Sequence, residues 1–279
     1  MKRIGIAALF ALVAASPATA APQQDDDWEF QEDASKKLMV ASVRYEAGPA
    51  ILVQCRDGAL TAVVVGLTPS ETPLELNAAR ADGRQDVQFW APAGAAGAFR
   101  SETAGRDVRF MRGGGLFSLR APEGAAGRWR ADFDLPTQSA NLDRVLAGCG
   151  WALTDDRDLM ARAGREVSMS DPDARPGRRR SFGSSRSRSG ENGQRERRNP
   201  GPPAPPPAES QISCIVRELR LTDCRADHPP AVTQRTRDEY MEWLADRRVY
   251  APDAAAAEGK VMFIGSSPLI VVERIELIG

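Results

Sequence analysis

The chain has 279 residues, 42% of them apolar and only 6% aromatic, with 24 glycines and 20 prolines. That is apolar content enough for a core, and the turn-forming residues exclude a large helical body in favour of many short elements, arranged as one medium domain and one small one. A formal charge of −1 excludes whole-chain electrostatics as a guide to partners, although the charge is unevenly spread.

Residues 1–20 read as a signal peptide. Lys2 and Arg3 make a positive start, Ile4 to Ala15 is a short apolar run, Pro17 breaks it, and Ala18-Thr19-Ala20 is a small-residue cleavage site before Ala21. The run falls short of the roughly 20 apolar residues a membrane span needs. Export to the periplasm is therefore expected, with cleavage after Ala20. Losing Lys2 and Arg3 leaves 35 basic against 38 acidic residues, a formal −3.

Residues 21–27 form a polar leader. Its Asp25-Asp26-Asp27 run reads as a solvated tail, because three consecutive carboxylates do not converge on one cation without a shaped loop. From Trp28 to residue 160 the pattern is β. Leu38–Tyr45, Ala50–Arg56 and Ala59–Leu67 are apolar runs, and Asp57-Gly58 between the last two is a hairpin signal, both residues tolerating positive φ. Pro73–Ala79, Asp86–Trp90, Ala98–Glu102, Asp107–Met111 and Leu116–Arg120 are further strand candidates. Gly113-Gly114-Gly115 lacks the following helix and lysine of a phosphate-binding loop and reads as a turn.

The best-defined stretch is 127–150. Trp129, Ala131, Phe133 and Leu135 alternate with Arg128, Arg130, Asp132 and Asp134 as in a strand buried on one face. Ser139 can then cap a helix in which Leu142, Val145, Leu146 and Cys149 share a face, with Gly150 as its left-handed stop. The fold class expected for 28–160 is an antiparallel sandwich or open barrel of about eight strands with one packed helix.

Residues 161–211 read as a disordered linker. Within it, 174–200 holds nine arginines against Glu191 and Glu196, a local +7, followed by a proline-rich run from Pro200 to Pro207. Serine–arginine alternation is compatible with RNA, but export and the isolation of Phe182 argue against nucleic acid. An anionic membrane surface or glycan suits the charge better.

Residues 212–279 read as a small α+β domain of order ββαββ. Ile212–Val216 and Leu219–Arg225 form a hairpin, Thr236 to Glu239 is a capping box opening a helix with Tyr240, Trp243 and Leu244 on one face, and Lys260–Ile264 and Leu269–Ile278 are strands.

Four cysteines in an exported chain point to disulfides, with three pairings possible. Cys55 lies on the Ile51, Val53 face of its strand and Cys149 on the inward face of its helix, so these two can meet in the first core. Cys214 and Cys224 flank the second hairpin. The preferred pairing is Cys55 with Cys149 and Cys214 with Cys224. The rival, a metal held by Cys214, Cys224 and His228, lacks the fourth ligand of a structural zinc site. No Cys-x-x-Cys marks a redox centre, and no residue pattern calls for a cofactor.

Trp28-Glu29-Phe30, Ala41-Ser42-Val43 and Val53-Gln54-Cys55-Arg56-Asp57-Gly58 resemble the Trp-to-Cys opening of exported β-sandwich proteins related to the type VI secretion accessory protein VasI and the invasion-associated locus B family. That resemblance covers roughly 28–150 and implies an envelope-associated, non-enzymatic module. Ser213-Cys214-Ile215-Val216 and Leu221-Thr222-Asp223-Cys224, after a proline-rich stretch, resemble the two-cysteine hairpin of the C-terminal domain of TonB-type energy transducers. This implies a fold that binds peptides or adds strands. Glu218-Leu219 stands at the tip where that family has glycine, and Pro229-Pro230 replaces its Gly-Phe-Gly stretch.

The functional expectation is a periplasmic, non-enzymatic binding or scaffold protein acting on cell-envelope proteins or extended peptides, TonB-like or secretion-associated. The alternative is a structural protein held electrostatically at the envelope surface by its arginine-rich stretch. A hydrolase ranks below both, since a Ser-His-Asp arrangement would have to use His228, the one histidine.

Overall fold

A computed structural model describes residues 26–46, 48–125, 129–169, 211–226, 234–245 and 247–264. The expected signal peptide with Ala20 and Ala21, the arginine- and proline-rich stretch from 170 to 210, His228 and the expected strand Leu269–Ile278 lie outside the described residues. The architecture is mixed α/β, with a mostly-β N-terminal module and a smaller β/α C-terminal one.

The N-terminal module is built on nine strands: β1 (Glu29–Asp33), β2 (Leu38–Arg44), β3 (Ala50–Arg56), β4 (Ala59–Val65), β5 (Leu74–Arg80), β6 (Gln85–Pro92), β7 (Phe99–Ser101), β8 (Gly115–Arg120) and β9 (Arg130–Leu135). They form one antiparallel sheet in the order β1-β2-β3-β4-β7-β6-β5-β8-β9. Asp57 and Gly58, with φ of 51° and 84°, make the β3–β4 turn that Asp-Gly forecasts. Along β9, Phe133 and Leu135 are buried while Arg130, Asp132 and Asp134 are exposed, as period-two patterning requires.

The sheet curls until its first and last strands approach at one end. There the contact is made by side chains and by a backbone bond from the Gln138 amide to the Asp26 carbonyl at 2.9 Å. The Tyr45 hydroxyl donates to the Asp134 carbonyl at 3.0 Å, the Thr137 amide donates to Asp26 Oδ2 at 3.0 Å, and Asn141 Nδ2 donates to the Trp28 carbonyl at 2.8 Å. Asp26 and Asp27 therefore do not belong to a solvated tail. Asp27 Oδ2 accepts from the Asn141 amide at 3.2 Å, in the first turn of helix α2 (Ala140–Gly148), the job expected of Ser139. Ser139 Oγ instead accepts from the Gly113 amide at 2.9 Å. A carboxylate brought by the fold has displaced the local cap.

Two helices pack on the sheet, not one. The segment Asp107–Met111, expected as a strand, lies in helix α1 (Ala104–Phe110) and its C-cap. Ala104, Val108 and Met111, all buried, sit at i, i+4 and i+7, a helical spacing that outweighs the short alternation within 107–111. Helix α2 buries Leu142, Val145 and Leu146, Gly150 stops it at φ 77°, and Cys149 bonds to Cys55 on β3. The core gathers Trp28, Trp90, Phe99, Phe117, Phe133 and the disulfide around both helices.

The C-terminal module has strands β10 (Ile212–Arg217), β11 (Arg220–Ala226) and β12 (Val261–Ile264) in the order β11-β10-β12. Among the described residues helix α3 (Gln234–Leu244) and the short α4 (Ala254–Ala257) accompany these strands. Thr236 lies inside α3, past the start where a capping box would place it, and the sequence pattern did not reveal α4. Cys214 and Cys224 are bonded across the β10–β11 hairpin. Its two tip residues, Glu218 and Leu219, both adopt positive φ, 50° and 56°, the twist-matched turn normally given to glycine or asparagine. The strained tip is held from outside: the Glu218 amide donates to Glu258 Oε2 at 2.8 Å, and the Val249 amide donates to the Leu219 carbonyl at 2.8 Å.

Residues 161–169, read as the beginning of a linker, belong to this second module. Ala163 and Val167 are buried in its core beside Ile212, Leu221, Tyr240 and Leu244. The Ala163 amide donates to the Val261 carbonyl and the Val261 amide to the Ala161 carbonyl, both at 2.9 Å, while Ser168 and Tyr250 exchange two backbone bonds at 3.0 and 2.8 Å. Low apolar content concealed the segment, because it contributes mainly backbone pairing.

The chain-entropy relation predicts unequal worth for the two disulfides, which span 94 and 10 residues. Urea unfolding of the double variant C55A/C149A should show a loss of up to about 4.7 kcal/mol, and that of C214A/C224A up to about 2.7 kcal/mol; equal losses, or the reverse order, would contradict this assignment.

Candidate functional site: the arginine junction

The modules meet along a row of arginines. From α1, Arg106 makes a two-pronged pair with Asp86 on β6, Nε to Oδ2 at 2.6 Å and Nη2 to Oδ1 at 2.9 Å, with both side chains 3% exposed. Its remaining donors hold the loop after α2, Nη1 to the Arg157 carbonyl at 2.7 Å and Nη2 to the Met160 carbonyl at 2.8 Å. Planar guanidinium geometry suits this combined task, since one plane of donors meets a carboxylate and two carbonyls at once.

The loop so held presents Arg157 to the other module. Its Nη1 donates to both the carbonyl and the hydroxyl of Ser213 on β10 at 2.5 Å, its Nη2 bonds the carbonyl of Asp223 on β11, and the same nitrogen lies 3.1 Å from the Asp223 carboxylate. In return, Arg225 on β11 reaches Asp155 and Asp156, the latter at 2.6 Å. Arg109 on α1 steadies that acidic turn through Asp158 at 2.5 Å. Asp155, Asp156 and Asp158 are thus arginine partners.

Arg162 runs between the modules. Its guanidinium lies over Phe89 of β6 at 4.0 Å and over Phe263 of β12 at 5.1 Å, and Nη1 donates to Thr103 Oγ1 at 2.7 Å. Burial is the largest influence on it and holds its pKa down to about 10, so it stays charged at neutral pH. Beside it, Asp107 is fully buried, accepting from Ser101 Oγ and from Thr103 Oγ1, the latter at 3.1 Å. Burial pushes its carboxyl up to about 7, against the opposing pull of Arg162 and the Ser101 hydrogen bond. Asp107 Oδ1 and Gln88 Nε2 are buried without a hydrogen-bond partner. Together these groups make a clamp in which Arg157 and Arg225 donate across the module boundary while Arg106 holds the loop that carries Arg157.

A second feature is a cavity of about 300 Å³ beside the Cys55–Cys149 bond, floored by Leu38, Met39 and Cys55. The charges at its rim are already matched, Lys37 with Asp57 at 2.8 Å and Glu32 with Arg144 at 3.7 Å. Among the described residues no group of three His, Cys, Asp or Glu side chains is placed to hold a metal ion, and no helix is long and apolar enough to cross a membrane.

Of the sequence-predicted site residues, the structure brings Cys55 to Cys149 and Cys214 to Cys224, while Ala20, Ala21 and His228 lie outside the described residues. Two disulfides are consistent with an extracytoplasmic environment. Sequence reasoning missed Arg106, Asp107, Arg157 and Arg162 altogether. A helical reading of 104–111 would have exposed the first two as charges on a helix facing the core; nothing in the local sequence marks Arg157 or Arg162. Comparison with known proteins returns no match: no family model, no curated protein and no solved structure is similar to this chain.

Asp107 gives the clamp a pH signature. Because its folded pKa is raised from 3.8 to about 7, the stability it lends is complete below its ordinary value and is lost as pH rises through about 7. The slope between those limits is about 1.4 kcal/mol per pH unit. Denaturant unfolding across that range should show D107N diverging upward from the parent as pH rises. Parallel profiles for the two proteins would contradict a carboxyl neutralised by burial.

Proposed function

We propose that this chain is an exported, non-enzymatic binding or scaffold protein of the cell envelope, whose two disulfide-locked modules offer partners a single preformed surface. The observation that carries the reading is the arginine junction. Arg106, Arg157 and Arg162 fix one module against the other before any partner arrives, which lowers the ordering cost of binding. The partners are envelope proteins, in keeping with the secretion-associated and TonB-like resemblances of the two segments.

Extended peptides remain the ligand chemistry of choice, but both edges of the smaller sheet already carry backbone partners. Val261 on β12 already pairs with 161–163, and the Leu221 amide of β11 already donates to the Arg247 carbonyl. The terminal strand β1 of the larger sheet, with β2 as its one ladder neighbour among the described residues, is the better edge for strand addition.

Mature protein isolated from an envelope extract without reductant should return the same envelope protein in repeated isolations and lose it in C55A/C149A. Recovery no different from a tag-only control would contradict the reading.

The second reading is a tether to an anionic surface, favoured by nine arginines against two glutamates between 174 and 200. It predicts sedimentation with phosphatidylglycerol vesicles that disappears at high salt and on replacing those arginines with serine. Sedimentation that survives either change would dismiss the tether.

A further inference from the structure

Where the chain enters and leaves the C-terminal module suggests an interaction surface that the two-domains-and-tether picture hides. The chain first joins that module at 161–169, through the Ala161, Ala163 and Val261 backbone pairing and the Ser168–Tyr250 pair, and buries Ala163 and Val167 in its core. It rejoins at Ile212, whose strand pairs with both β11 and β12. The stretch 170–210 therefore begins and ends in the same module.

We infer that residues 26–169 and residues 211–264 are complementary surfaces that stay associated without a covalent connection between them. The kind of partner each half fits is the other half of this chain. Three features support this, none of them dependent on the proposed function. Each disulfide closes within one half, Cys55–Cys149 in the first and Cys214–Cys224 in the second. The contact is buried and specific: Arg157 is 3% and Arg162 5% exposed, and Arg157 is spent on Ser213 and Asp223. Finally, the second module is incomplete without 161–169, because Val261 would lose both backbone partners on that side and the core would lose Ala163 and Val167. Leaving buried polar groups unpaired is costly, so the second half gains its last strand-like segment and part of its core from the first.

One consequence concerns the nine arginines of 174–200. The contacts named above that join the halves involve none of them, so scission there by an arginine-specific protease leaves both modules in place as a two-chain protein.

The test uses the full mature chain with residues 181–190 replaced by a Gly/Ser stretch carrying the recognition site of a sequence-specific protease. After complete cutting, the protein should elute at the volume and light-scattering mass of the uncut chain, while denaturing electrophoresis without reductant resolves two pieces. Adding R157A and R162A to the same chain should make the cut halves separate on the column. Separation of the cut halves with both arginines intact would overturn the inference.

Discussion

Everything distinctive about this molecule depends on charged guanidinium groups removed from water at the boundary between two modules. Taking such a group out of water costs several kcal/mol unless its donors are met, and removing one partner of a buried pair typically costs about 3–5 kcal/mol. Arg106 answers that cost with both oxygens of Asp86 and two carbonyls of the 157–160 loop. Arg157, held by that loop, repeats the solution across the boundary with Ser213 and Asp223. One buried cation thus positions the next, and the acceptors of the second are strands of the other module. Geometry of this kind tolerates little sliding, since shifting either module leaves donors unpaired.

The same constraint explains why Arg162 sits between two phenylalanine rings. Its guanidinium is flanked by Phe89 and Phe263, and the faces of aromatic rings attract a weakly hydrated cation in a site with little water. Neighbouring Asp107 is driven towards the neutral form by its burial, leaving the charge balance of the junction to Asp86 and to the acids of the 155–158 turn. The junction is thus specific first, with stability as a by-product of satisfied donors.

How much of this is written legibly in the sequence follows from the range of the interactions. Local signals survive: the Asp57-Gly58 turn, the one-sided strand Arg130–Leu135, the inward face of α2 and the pairing of all four cysteines depend on residues a few positions apart or on strand and helix faces that periodicity reveals. What periodicity does not reach is contact at a distance. Asp27 caps α2 from more than a hundred residues away, so Ser139, the obvious local candidate, bonds Gly113 instead. Asp107–Met111 alternates briefly like a strand, yet the burial of Ala104, Val108 and Met111 obeys the helical period. Residues 161–169 carry too few apolar side chains to register as structure, because their contribution is backbone hydrogen bonding to a strand edge. Arg157 and Arg162 resemble any other surface arginine until their acceptors are placed.

The central claim is that the two modules open together and not independently. Native-state amide hydrogen exchange tests it most directly, read at Ala163, Val261, Ser168 and Tyr250, whose backbone bonds lie where 161–169 meets the C-terminal module, and at Val53 in the centre of the larger sheet. The account predicts that these boundary amides exchange only through the same large opening that releases Val53, with protection of the same order. Exchange at the boundary at rates near those of exposed amides, while Val53 stays protected, would contradict it.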